Sequence, residues 1–150
     1  MKYIYRIEVK SSQIKTVLAE DGTNHFISPV TKKSKKIYLV GKNGLIHYIG
    51  ITKQSIASRL RYGISPNHKT GYHGYKWLKE NGEHCLVIWM FSNDTDVEAI
   101  EAEIVYFFRK QHGKWPKYQT EIHFHPTTKD QRALAKRVLT ESQKIINKFT

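Results

Sequence analysis

The stretch Ile37-Tyr38-Leu39-Val40-Gly41-Lys42-Asn43-Gly44-Leu45-Ile46-His47-Tyr48-Ile49-Gly50 decides how this chain is read. Two short β-forming runs, Ile37 to Val40 and Leu45 to Ile49, flank Gly41-Lys42-Asn43-Gly44, and Asn-Gly between apolar runs is the strongest local signal for a hairpin. Each arm carries a tyrosine, Tyr38 and Tyr48. Whether they meet depends on register, because a slip of one residue moves a side chain to the opposite face. A two-residue Asn43-Gly44 turn opposes Tyr38 to Ile49 and sends Tyr48 to the other face. A three-residue Lys42-Asn43-Gly44 loop opposes Tyr38 to Tyr48, and Gly44 suits the left-handed position that closes such a loop. The expectation is therefore the three-residue loop.

Downstream of Gly50, Ile56 and Leu60 are four apart, and Gly63 is placed as a stop, which predicts a helix from about Thr52 or Ser55 to Tyr62 carrying Arg59. A second short helix is expected over Gly74 to Glu80. His84 to Phe91 is a nearly continuous apolar run, as in a central strand covered on both faces. Thr95 and Glu98 have capping-box spacing before the stripe Val97, Ile100, Ile104, Phe107 and Phe108, which ends at Gly113. Thr128 and Gln131 repeat the device before a C-terminal helix over about 128–148. Upstream, residues 3–9 and 14–19 flank Ser11-Ser12 as an N-terminal hairpin, with a short strand expected at His25 to Ile27. The fold class is α+β: a small antiparallel sheet flanked by helices, with an N-terminal β extension over 1–31, a core over about 36–119, and one domain over 1–150.

Lys plus Arg is 25 against 13 for Asp plus Glu, a net +12. Such a field calls for a polyanionic partner. DNA is the expected partner and RNA the second polyanion of that class, with the protein acting as monomer or homodimer. A membrane role is not expected, because no apolar run approaches the ~20 residues of a spanning helix. One cysteine, Cys85, in an apolar run and no signal-peptide pattern fit a reducing cytoplasm. The run Lys32, Lys33, Lys35 and Lys36 is a basic connector that either stays in solvent or touches phosphate.

Hydrolysis of a phosphodiester needs an activated water, positive charge for the pentacovalent phosphate and usually a divalent cation on carboxylate. Tyr38, Tyr48, Arg59 and a helical glutamate are the candidate parts. Strand tyrosines mostly just pack an amphipathic sheet, which is the competing reading of the pair. Of the glutamates in Val97 to Glu103, periodicity points Glu98 away from the apolar stripe and puts Glu101 and Glu103 on its two edges, without choosing between them.

The order Ile37-Tyr38, Tyr48-Ile49-Gly50, Arg59-Leu60 resembles the GIY-YIG endonuclease superfamily, with Lys36 where the first glycine would stand. The resemblance covers about residues 36–119. It implies that Tyr38 activates the attacking water with Tyr48 nearby and that Arg59 binds the scissile phosphate; a phenol is a poor base in water, and cations such as Lys36, Lys53 and Arg61 are the neighbours that would help it. Gly63 occupies the place of a frequent family histidine, and His73 resembles the family's second one, for contact with phosphate or base; His68 is a further polar-loop contact. The family's spacing selects Glu103, with Phe107 one turn on, as ligand of Mg²⁺ or Mn²⁺; Mg²⁺ keeps much of its water and needs few carboxylates. Trp115-Pro116-Lys117-Tyr118-Gln119 resembles the segment past the helix, with Gln119 in an asparagine's place as a nucleic-acid contact. His123-Phe124-His125 puts two imidazoles on one side of a strand, a weak transition-metal pattern for which a solvent-facing loop is the preferred reading.

The function expected is thus Mg²⁺-dependent DNA endonuclease, a catalytically silent nucleic-acid-binding module on the same fold being the alternative. It rests on the phenols, the guanidinium and the carboxylate converging around one phosphate, and a glutamate helix on the far side of the sheet from the phenols would end the enzyme expectation, whatever the charge.

Overall fold

The computed structural model describes residues 1–62, 75–120 and 122–149. It shows an α+β fold with strands β1 (Lys2–Lys10), β2 (Gln13–Ala19), β3 (Lys36–Lys42), β4 (Leu45–Thr52) and β5 (Gly82–Met90), and helices α1 (Ile56–Arg59), α2 (Val97–His112) and α3 (Lys129–Lys148). A 3-10 turn covers Lys76–Lys79. The strands form one antiparallel sheet in the order β2-β1-β5-β3-β4. The apolar run of β5 takes the central place, as its lack of polar alternation requires. The N-terminal hairpin is not an appendage: β1 pairs along β5 from Lys2–Trp89 to Val9–Gly82.

Both faces are covered. On one, Ile37, Leu39, Ile49, Val87 and Trp89 pack against Ile100, Ile104 and Phe108 of α2 and Val138, Leu139 and Ile146 of α3. On the other, Ile7, Tyr38, Val40, Leu86 and Ile88 pack against Ile56 and Leu60, Trp77 and Leu78, with Phe26 and Val30 from the connector. Each such aliphatic or aromatic side chain contributes about 1.5–3 kcal/mol on burial. The apolar stripes foreseen for α2 and α3 both face the sheet, so α3 is a structural helix. It lies so close that a Cβ on Gly41 would come within 2.5 Å of Ile146. Among the described residues no helix is long and apolar enough to cross a membrane.

Local chemistry explains where expectation and structure part. Asn43 and Gly44 have φ of 53° and 76°, the paired left-handed geometry of a two-residue type I′ turn, and Lys42 pairs with Leu45. The expected three-residue loop is therefore wrong. The expected consequence survives by another route, because Gly41 pairs with Ile46 but Val40 pairs with Tyr48. His47 is the extra residue of a β-bulge, which shifts the rest of β4 by one and returns Tyr48 to the face of Tyr38. The N-cap of α2 is Asp96, whose carboxylate accepts from Ala99 N–H at 3.1 Å, rather than Thr95. Helix α1 is a single turn capped by Ser55, shorter than predicted. Residues 25–27 form no strand; Phe26 instead plugs the core beside Tyr5, with ring centroids 4.9 Å apart. The Thr128/Gln131 capping box of α3 is present in full.

Candidate active site

At the β4 margin of the sheet lies a cleft of about 430 Å³ lined by Tyr48, Gly50, Arg59, Glu98, Glu101 and Gln119, with His123 and His125 at its rim. Of the phenol pair, Tyr48 lines it and Tyr38 lies buried behind. Tyr38 faces Gly50 across the strand pair, and Tyr48 lies diagonally beside it with ring centroids 6.0 Å apart. Arg59 Nε–H reaches the Tyr38 hydroxyl at 3.5 Å, a long contact, and the guanidinium carbon lies 5.8 Å from the centre of the Tyr75 ring. Tyr75, in turn, donates its hydroxyl to the Arg59 carbonyl at 3.0 Å and stands 5.9 Å from Tyr48. Three phenols thus surround one guanidinium. Tyr75 was not singled out in the sequence; its neighbour His73 drew the attention in that segment.

The two expected phenols differ in access. Tyr38 is fully buried and does not line the cleft, whereas Tyr48 is half-buried and does. Burial pushes the Tyr38 hydroxyl well above the usual phenol value, with Tyr48 and Tyr75 adding to the shift. Burial also raises Tyr48, and the Tyr75 and Glu101 charges act in the same direction. Both phenols are therefore neutral near pH 7, and the Tyr38 hydroxyl accepts from Arg59 Nε–H.

The carboxylate comes from the opposite face. Helix α2 packs on the sheet face away from Tyr38, the arrangement that was to end the enzyme expectation, so the convergence of phenols and carboxylate on one face is overturned and any meeting of the two must occur around the sheet edge. Because β4 is the edge strand, the first turns of α2 overhang that edge, and Glu101 and Glu98, three residues apart and so on one side of the helix, reach the cleft around it. Glu103 does not line this cleft. It sits in a neighbouring hollow with Tyr106, Phe124 and the two histidines, so the carboxylates on the wall of the Arg59 cleft are those of Glu98 and Glu101. The family spacing had selected against the residue that the helix phase brings to the edge.

Two expected phosphate contacts are used internally. Lys36 is buried, and its ammonium donates to the carbonyls of Lys32 at 2.5 Å, Ser34 at 2.8 Å and Gln54 at 2.8 Å. It fastens the basic connector to the loop before α1, and burial lowers its pKa. Gln119 pairs with the free edge of β4: Ile49 N–H donates to its Oε1 at 3.1 Å and its Nε2–H donates to Ile49 O at 2.9 Å. Together with Tyr118 N–H donating to His47 O at 2.9 Å, this side chain caps the edge in place of a sixth strand. Lys35 donates to Thr95 O at 2.7 Å and lines a small hollow with Lys53 and Asp96. Lys32, Lys33, Lys53 and Arg61 are exposed. His68 and His73, and Gly63 with them, lie outside the described residues. His123 and His125 belong to no strand; their rings are 6.3 Å apart at the cleft rim.

Among the described residues no three or more His, Cys, Asp or Glu side chains are grouped to hold a metal ion. The donors facing Arg59 across the cleft are hard carboxylate oxygens of Glu101 and Glu98, which suit a cation that keeps most of its hydration shell. Comparisons with protein-family profiles, with curated proteins and with solved structures found no match to this chain.

Proposed function

We propose that this chain is a Mg²⁺-dependent endonuclease of the GIY-YIG type that hydrolyses phosphodiester bonds in DNA at the β4-edge cleft. The observation that carries the proposal is the convergence of Tyr48, Arg59 and Glu101 on one cleft in a chain of net charge +12. The residue order that suggested the family supports it independently of that geometry.

Arg59 is the phosphate ligand. Tyr38 occupies its Nε–H, which leaves the two terminal nitrogens as a fork for two phosphate oxygens. The Tyr75 bond to its carbonyl fixes the end of α1 from which the side chain springs. Tyr48, neutral and lining the cleft, donates a hydrogen bond to the attacking water or to a phosphate oxygen. Tyr38, without access to the cleft, positions Arg59 rather than touching the substrate. Glu101, with Glu98 on the same wall, would hold the divalent cation, which when bound supplies an acidified water and charge for the phosphate. Exposed Lys53 and Arg61 near α1, with Lys32 and Lys33, extend the positive field along the backbone of the substrate.

Nicking of supercoiled plasmid tests the proposal. Wild type with Mg²⁺ is expected to cut, and Arg59→Ala and Glu101→Gln are expected not to. Salt-dependent binding by all three with no cutting by wild type would replace the enzyme with a binding module.

A further inference from the structure

Phe124 is 73% exposed, more than any other large apolar side chain among the described residues after Met1. A lone exposed ring is ordinary on a protein surface; what singles this one out is its neighbours. Tyr106, 38% exposed on α2, meets it edge-on at 6.5 Å. Lys110 Nζ lies 5.4 Å from the Tyr106 ring and 5.9 Å from that of Phe107, and Lys136 Nζ from α3 lies 5.2 Å from Phe107 on the far side. Two exposed rings at the cleft rim are thus followed by the ammonium groups of Lys110 on α2 and Lys136 on α3, which flank the buried ring of Phe107.

The row is continuous with the candidate active site. His123 and His125 line both the catalytic cleft and the adjoining hollow of about 290 Å³ that contains Phe124, Tyr106 and Glu103. The carboxylate of Glu103 repels phosphate from that hollow, while the rings offer π-faces to a base, and a carboxylate accepts hydrogen bonds from base amino groups. Backbone charge finds its partners further along, at Lys110 and Lys136. A paired base has both faces covered by its stacked neighbours, so only an unpaired one fits.

We propose that Phe124 and Tyr106 form a stacking platform for unpaired bases of a nucleic-acid strand that leaves the cleft past His123 and His125. The ligand class is then DNA with a single-stranded segment beside the cleft. This rests on nucleic acid being the ligand of the cleft and not on its being cleaved.

The test is fluorescence anisotropy of the full chain, without divalent cation and in chelator, with a single-stranded oligonucleotide and a duplex of the same length, each within the range of roughly 4–16 nucleotides that single-strand sites cover. Phe124→Ala is expected to weaken single-strand binding roughly tenfold, to leave the duplex within about twofold and to leave the salt slope unchanged, since stacking releases no counterions. Phe124→Trp is expected to bind the single strand at least as well as wild type. Lys110→Ala is expected to lower the salt slope instead. Equal losses on both ligands, a loss under twofold, a lowered slope for Phe124→Ala, a Phe124→Trp variant as weak as alanine, or a wild type that does not bind the single strand would each overturn the platform. Because no cation is present, a chain that passes this test but never nicks DNA removes the nuclease reading alone, and one that nicks but fails it removes the platform alone.

Discussion

Gly50 lies directly under the phenol of Tyr38: a Cβ at that position would stand 2.6 Å from both its Cζ and its hydroxyl oxygen, and 2.8 Å from the ring of Tyr48. The glycine is needed there for clearance rather than for backbone freedom. It lets two rings close over one strand and hand a hydroxyl to Arg59.

Gly50→Ala is accordingly expected to fold but to force both rings aside. The overpacking costs about 1–3 kcal/mol, readable as a lowered midpoint in urea. Nicking is expected to fall by more than the stability change explains, because the Arg59 contact moves with Tyr38. Wild-type nicking in a folded Gly50→Ala protein would separate the phenol pair from catalysis.

Arg59→Lys keeps the charge and loses the fork. Removing one preorganised donor to developing charge typically costs about 10²–10³ in rate, and a lysine without the planar geometry is expected to recover little of it. Single-turnover cleavage of a labelled oligonucleotide reads this directly; a lysine variant within threefold of wild type would show that point charge alone suffices.

Glu101→Gln and Glu103→Gln distinguish two carboxylates that helical periodicity leaves equivalent. The first is expected to abolish Mg²⁺-dependent nicking, and the second to retain it. The reverse ranking would restore the spacing-based assignment.

His84 gives the fold a pH dependence. It is buried on β5, its Nδ1 is 3.2 Å from Gly82 O, its Nε2 has no hydrogen-bond partner, and burial lowers its pKa to about 4 from an ordinary 6.5. The folded state holds the neutral ring, so this contribution is complete above pH 6.5 and is lost as the pH falls from 6.5 toward 4, where the unfolded chain takes up a proton that the native one refuses. The total is about 3 kcal/mol at 1.36 kcal/mol per pH unit. His47, also pushed down by burial, adds to the same limb. Urea midpoints measured between pH 4 and 7 should slope in wild type and flatten in part in His84→Gln; identical slopes would remove His84 from the account.

Lys36→Met is expected to cost about 1.5–3 kcal/mol, the worth of hydrogen bonds from a charged group to buried partners. Nucleic-acid affinity and its salt slope should stay as they were. A reduced slope would return Lys36 to the phosphate-contacting set.

What could be read from residue order was whatever local chemistry decides. The hairpin signalled by Asn43-Gly44, the apolar run of β5, the stripe of α2 and the capping box at Thr128 each carry their own signal, and all are found, although the hairpin turns on two residues and not on the three expected. The bulge at His47 carries none, because an extra strand residue is stabilised by tertiary packing and leaves the turn sequence unchanged. Lys36 reads as one more cation in a basic run, and only the folded connector brings three carbonyls to its ammonium. Glu98 points away from the apolar stripe and so reads as a solvent-facing residue; that Glu98 and Glu101, and not Glu103, line the cleft follows from how α2 is rotated over the sheet edge, a quantity fixed by packing and not by period.

With the phenols on one face and the acids on the other, the gap between them is one strand thick, and its span is set by how β4 coils and how far α2 leans out. Apolar residues such as Leu39 and Ile100, buried in the core away from the cleft, thereby act as shims. Trimming them should retune the spacing between Tyr48, Arg59 and the carboxylates of α2 with no polar group altered, so the geometry of the cleft has a route for adjustment through the hydrocarbon interior.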